Sequence, residues 1–270
     1  MRNQKANRHW SRRRRNCSMF PVAFEIYGFP IHTYGIFMAL GFAAALFVAI
    51  SLGKQSNIKP DDIGDVCLVA LLTGLIGGRL LFVAVEWDQF KDELSSIIFR
   101  RDGFVFFGGL VFSTLATYLF IKYKKLELGK LADILAPALA LGHSIGRLGC
   151  FSQGCCYGKP FEYGLLFPES APASIHFHGV PVHPTQLYES LALLIIFGIL
   201  MKARKSSRFD GAIFLIYLSL YSIFRFFNEF LRADDRGFYF YGISVSQLIS
   251  IVIVGVSIFI LLKVKSSKSS

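Results

Sequence analysis

Apolar positions fall into seven long blocks, at about Ile31–Leu52, Ile63–Val85, Gly103–Ile121, Leu131–Phe151, Gln186–Met201, Gly211–Leu231 and Ile243–Leu262. Each is close to the roughly 20 residues that a membrane-spanning helix requires. None alternates with the period of two that marks a barrel strand, so the blocks predict helices. The expectation is an all-α polytopic membrane protein with about seven transmembrane helices. They form a single domain over residues 19–265, between a basic tail at 1–18 and a polar C-terminal tail at 266–270.

Composition agrees with that pattern. Of 270 residues, 53% are hydrophobic and 28 are Phe, which exceeds what a water-soluble domain carries. The net charge of +11 does not point to nucleic acid, because basic residues on a membrane protein mostly set its orientation. The loops after the first, third and fifth blocks and the C-terminal tail hold Lys54, Lys59, Lys122, Lys124, Lys125, Lys130, Lys202, Arg204, Lys205, Arg208, Lys263, Lys265 and Lys268. The long connection from Ser152 to Thr185 holds only Lys159. This asymmetry places the C-terminus in the cytoplasm and the N-terminus outside. The first 18 residues, with seven Lys and Arg, run against it, so a functional start at Met19 is expected. The tail has no apolar core and is not a signal peptide.

The densest chemistry lies in Leu141–Pro160, LGHSIGRLGCFSQGCCYGKP, which combines His143, Arg147, Cys150, Cys155 and Cys156 with five glycines. An arginine at membrane depth beside so much glycine suggests an anion brought up to bare backbone. His143 and Arg147 are four residues apart and share a helix face. Arg225, Glu229 and Arg232 repeat that spacing on the sixth block, where an internal ion pair is the simpler explanation. Arg79 follows the small residues Gly74, Gly77 and Gly78, and snorkelling to the interface would also account for it. Tyr34 opens the first helix, where tyrosines commonly serve as interface anchors. The Gly108-Gly109 pair opens the third, where packing alone would explain it.

Depth links these positions. Arg79, Arg147 and Arg225 lie about 14–16 residues into helices that run outward, roughly 21–24 Å from the inner boundary of a ~30 Å core. Tyr34, Gly108, Gly109 and Glu189 open helices that start from the outer side, so they fall in the same layer. Three like charges at one level repel in a low dielectric, whereas a lipid phosphate in the outer leaflet would bind them.

The segments IHTYG, GLIGGRL, Gly-Gly-Leu at 108–110, GRLG at 146–149, HPTQLYE at 183–189 and FRFFNEFLR at 224–232 resemble the prolipoprotein diacylglyceryl transferase family from about Phe24 to Val264. The resemblance implies a seven-helix enzyme of the bacterial inner membrane. It would move diacylglyceryl from phosphatidylglycerol to the lipobox cysteine thiol of a prolipoprotein, without a cofactor and without nucleic acid. It implies substrate binding by Arg147, with Arg79, Glu229, Arg232, Gly108, Gly109, His183 and Gln186 around the lipid, and catalysis by Arg225 and Tyr34. The chain departs from the family pattern where Phe107 stands for a His proposed as base. It departs again where Cys150, Gln153 and Cys155 stand for two Asn and a Glu. His143 is the expected substitute base, with His183 second.

The cysteines leave three readings open. They form a metal site with His143 or His183, a disulfide from Cys150 to Cys155 or Cys156, or small packing groups. No metal is expected for the transferase itself. The competing function is a non-catalytic or redox- or metal-linked relative that binds an anionic lipid through the arginines and Cys150, Cys155 and Cys156.

Overall fold

The computed structural model describes residues 21–91, 105–207, 209–233, 239–240 and 243–267, with side chains at 89, 239–240 and 265–267 left aside. The basic tail, the expected start at Met19 and the last three residues lie outside the described residues. A hairpin of β1 (Val22–Ile26) and β2 (Phe29–His32) turns through Tyr27 and Gly28, both with positive φ as a two-residue hairpin turn requires. Seven long helices follow: α1 (Thr33–Gln55), α2 (Pro60–Val85), α3 (Phe106–Tyr123), α4 (Leu128–Gln153), α5 (Thr185–Ala203), α6 (Ala212–Glu229) and α7 (Val245–Ser267).

Among the described residues these seven are long and apolar enough to cross a membrane, and their bounds lie close to the sequence blocks. Their termini follow helix electrostatics. Pro60 sits in the first turn of α2 with Asp61 and Asp62, and Lys54, Lys122 and Lys202 occupy the last turns of α1, α3 and α5.

Burial is inverted relative to a water-soluble protein. Leu, Ile and Phe along the helices are widely exposed, as at Phe47, Leu191, Val252 and Phe259, while Gln186, Glu189, Arg225, Asn228 and Arg232 are buried. An apolar exterior around a charged interior suits a hydrocarbon solvent.

The chain divides into two compact units: one runs to Val48 and resumes at Leu135, and the other is Ala49–Ile134. In the second, α2 and α3 touch through glycine. A Cβ on Gly77 would meet Gly108 O at 2.8 Å, and Gly74 lies against Ser113. Lys124 after α3 bonds Asp65 of α2 at 3.2 Å and approaches Asp62 at 3.8 Å.

In the first unit, Ala136 and Ala140 of α4, Leu193, Ile196 and Leu200 of α5, and Ile213 and Tyr217 of α6 form the main apolar core. The connection from α4 to α5 is folded rather than open. It contains β3 (Pro160–Leu165), a short helix at Pro172–Phe177, and a second cluster of Tyr157, Phe167, Ala171, Ala173 and Val182.

Candidate active site

The polar core of the first unit is built around Glu189, in the second turn of α5 and fully buried. Its Oε1 lies 2.9 Å from Arg147 Nη2 on α4 and accepts a hydrogen bond from Tyr221 of α6 at 2.8 Å. Oε2 lies 3.5 Å from Arg232 Nη1, just beyond α6. One carboxylate therefore joins α4, α5 and the end of α6. A second pair lies along α6, where Arg225 Nη1 meets Glu229 Oε2, and Ser246 of α7 donates to Glu229 at 2.6 Å. Arg225 Nη2 reaches the same serine at 3.4 Å. Among the described residues, Arg147, Arg225 and Arg232 thus share the two carboxylates of Glu189 and Glu229.

Arg147 also donates from Nε to His143 Nε2 at 3.2 Å, and its Nη1 lies 4.0 Å from Cys150 Sγ. His143 meets the Tyr221 ring edge-to-face at 5.4 Å, so its imidazole is fixed on two sides. Asn228 of α6 is 3% exposed, and neither its Oδ1 nor its Nδ2 has a hydrogen-bond partner among the described residues. A buried amide in that condition suits a polar ligand.

The cysteines converge where α4 ends. Gly154 has φ +70 and Cys156 has φ +62, and this left-handed turn folds the chain back on the helix. The sulfurs of Cys150, Cys155 and Cys156 then lie within 4.8 Å of one another, all half-buried and reduced. The hydrogen bonds that Cys156 takes from Cys150 and Cys155 push its thiol well down, with burial opposing and Arg232 and Arg147 assisting. Its contacts with Cys150 and then Cys156 push the Cys155 thiol up, with burial adding to them. The start of α5 clamps the turn: Gln186 Nε2 donates to Cys155 O at 2.6 Å, and Thr185 Oγ1 to Cys156 O at 2.7 Å. From the other side, Lys159 N donates to Leu231 O at 2.7 Å.

The glycines of this segment do something other than the sequence suggested. Gly142 and Gly149 let α1 approach: a Cβ on Gly142 would meet Gly41 O at 2.9 Å, and one on Gly149 would meet Phe37 Cβ at 3.1 Å. Gly158 lies against His183 and the Leu231 carbonyl. At these three glycines the backbone expected to receive an anion is in contact with neighbouring helices and loops, while Gly146 meets only the Met38 sulfur at 3.4 Å. Tyr34 belongs to the same α1 contact, with Cδ2 at 3.3 Å from the Cβ position of Gly149.

A family model described as prolipoprotein diacylglyceryl transferase matches residues 21–263. The chain belongs to the prolipoprotein diacylglyceryl transferase family. Among its relatives, a protein of Clostridium tetani named phosphatidylglycerol–prolipoprotein diacylglyceryl transferase is 36% identical over 248 residues, covering 89% of this chain and 97% of the relative. A Finegoldia magna protein of the same name is 39% identical over 246 residues, covering 90% and 95%. One from Clostridium botulinum strain 657 is 34% identical over 244 residues, covering 89% and 97%. Family membership and the seven apolar helices together make this a multi-pass membrane protein of transferase type.

Within this family member the anticipated residues separate into groups. Arg147, His143, Arg225, Glu229 and Arg232 line the polar core described above. Gln186 supports the cysteine turn. His183 stacks on Phe161 at 4.1 Å and lies 3.3 Å from Tyr188 Oη, and burial pushes its imidazole below the ordinary 6.5. Arg79, Gly108 and Gly109 belong to the second unit. There Arg79 lies over the Phe82 and Phe90 rings at 5.5 and 5.6 Å, and a Cβ on Gly108 would strike Gly77 and Leu81. Two central residues carried no role in the sequence reading. Glu189 was visible in HPTQLYE only as a member of the outer layer, and Asn228 lay unremarked inside FRFFNEFLR.

Proposed function

We propose that this protein transfers the diacylglyceryl group of phosphatidylglycerol to the thiol of the lipobox cysteine of a prolipoprotein, in the inner membrane of a bacterium. The observation that carries the reading is the buried Arg147–Glu189–Arg232 cluster beside the Arg225–Glu229 pair. Its guanidiniums offer planar, permanently charged forks suited to a phosphodiester headgroup. The site opens towards the outer leaflet, with the N-terminus outside and the C-terminus cytoplasmic, in keeping with the distribution of Lys and Arg.

In the reaction the lipobox sulfur attacks the glycerol carbon next to the phosphate. The carbon–oxygen bond breaks, and glycerol phosphate leaves with the electron pair and a second negative charge. Arg147 presents a planar fork suited to that growing charge, and Arg225 is the second cation on the leaving group. Each well-aimed donor of this kind supplies about 10²–10³-fold in rate. The Asn228 amide takes a hydroxyl of the glycerol headgroup. His143 accepts the thiol proton once the phosphate draws the Arg147 Nε away from its Nε2, and Tyr34 orders the cysteine side of the cleft. His183 and Gln186 shape the surroundings of the lipid, and the family resemblance assigns Arg79, Gly108 and Gly109 to lipid binding as well.

The test is transfer of labelled diacylglyceryl from phosphatidylglycerol to a lipobox peptide by the purified protein. A thioether-linked product supports the reading. Phosphatidylglycerol binding without transfer favours instead a non-catalytic lipid-binding relative.

A further inference from the structure

The sulfur cluster lies beside the electrophile's clamp, and the transferase chemistry alone does not call for it. Three cysteines from two sides of a helix end are drawn together by a turn that places a non-glycine residue, Cys156, at φ +62. Such a conformation costs of order 1 kcal/mol or more and persists only where its surroundings enforce it. Here they do: Gln186 and Thr185 hold the carbonyls of Cys155 and Cys156, and Cys155 N donates to Cys150 O at 3.2 Å. Packing alone does not require three sulfurs within 4.8 Å of one another. A tetrahedral thiolate site with metal–sulfur bonds of about 2.3 Å sets its sulfurs roughly 3.8 Å apart, within reach of small side-chain rotations. The nearby Arg147 offsets the negative charge that three thiolates around a divalent cation would carry.

We infer that Cys150, Cys155 and Cys156 bind a thiophilic divalent cation of the Zn2+ class, and that its fourth position takes the lipobox thiol. The inference rests on the transferase reading above and supplies its nucleophile. A free thiol with a pKa near 8.5 is mostly protonated at neutral pH, whereas a metal-coordinated thiol is deprotonated outright. The atoms balance. The lipobox S–H loses its proton to His143 as the metal–sulfur bond forms. The bound sulfur then forms its bond to the glycerol carbon, and glycerol phosphate departs with the electrons of the broken carbon–oxygen bond. The thioether product is a weaker ligand than a thiolate and leaves the metal. Three protein ligands with one position open to substrate is the usual pattern of a catalytic zinc site, and the half-burial of all three sulfurs permits access.

The test uses the full chain in detergent micelles, titrated with Cd2+ and followed by thiolate-to-metal charge-transfer absorption. The wild type is expected to bind one Cd2+ with the absorption of three thiolates. A lipobox peptide should add a fourth increment, and the same peptide with Ser for the lipobox Cys should add none. Cys150→Ser, Cys155→Ser and Cys156→Ser should each remove one increment and weaken Zn2+ binding by more than about tenfold. Size-exclusion elution confirms that each variant is folded, and the wild-type titration stands even if a variant is not. Absence of the band in wild type, or no increment from the cysteine peptide, overturns the inference. Transferase assays after chelation separate the two readings. Transfer that persists in stripped protein refutes the metal and leaves the transferase standing. A peptide-dependent band without any transfer refutes the transferase and leaves the metal site standing.

Discussion

Arg147 Nη2 lies 2.9 Å from Glu189 Oε1, and the same fully buried carboxylate also meets Arg232 and Tyr221. Removing one partner of such a buried cluster leaves uncompensated charge, which typically costs about 3–5 kcal/mol. Glu189→Gln should therefore lower the thermal unfolding midpoint in detergent markedly, and Glu189→Asp should lower it less. An unchanged midpoint for Glu189→Gln would show that the carboxylate does not hold α4, α5 and α6 together.

His143 accepts a hydrogen bond from Arg147, so its lone pair becomes available as a base only when Arg147 Nε turns away. A positioned base contributes about 10²–10⁴-fold. His143→Ala should reduce turnover within that range while phosphatidylglycerol binding is retained. Single-turnover transfer alongside lipid binding separates the two effects, and equal rates for wild type and variant would remove His143 from the proton path.

The glycine contacts can be tested by a pair of substitutions. Gly142→Val sets new atoms against Gly41 O and Ala45 Cβ, with the Cβ itself at 2.9 and 3.0 Å, and overpacking of this kind costs about 1–3 kcal/mol. Gly146→Ala meets only the flexible Met38 sulfur at 3.4 Å and should be tolerated, with lipid affinity unchanged. A selective loss of phosphatidylglycerol binding in Gly146→Ala would restore the idea of an anion resting on glycine backbone.

Burial holds the His183 imidazole below its ordinary 6.5. As pH falls below that value the unfolded chain takes up a proton first, so stability is lost from about 6.5 down through the lower folded value. Above 6.5 the contribution is fully present. His183→Phe keeps a ring on Phe161 and should flatten this part of the pH–stability curve. Thermal unfolding between pH 7.5 and 5 measures it, and an unaltered slope in the variant would assign the dependence to another group.

The helices were legible because a spanning segment needs only length and apolarity, and Arg225 with Glu229 because four residues bring side chains onto one face. Glu189 was not legible as a hub, since Arg147, Tyr221 and Arg232 reach it from elements far away in the chain. The glycines misled because the same letter serves an anion cradle and a close helix contact. Only the position of α1 shows which applies at Gly142 and Gly149. The sulfur cluster was one of three readings that the sequence left open. The spacing Cys150-x4-Cys155-Cys156 straddles a helix end, and the left-handed turn at Gly154 and Cys156 decides whether the thiols meet.

The role proposed for Arg147 is to clamp the phosphate that leaves during diacylglyceryl transfer. Its most direct test is the rate of labelled diacylglyceryl transfer to a lipobox peptide by wild type and Arg147→Lys in matched membranes. Lys keeps the charge and loses the two-pronged geometry. Wild type should transfer the label, and Arg147→Lys should fall by about 10²-fold or more. Full activity in Arg147→Lys would show that Arg147 does not clamp the leaving phosphate.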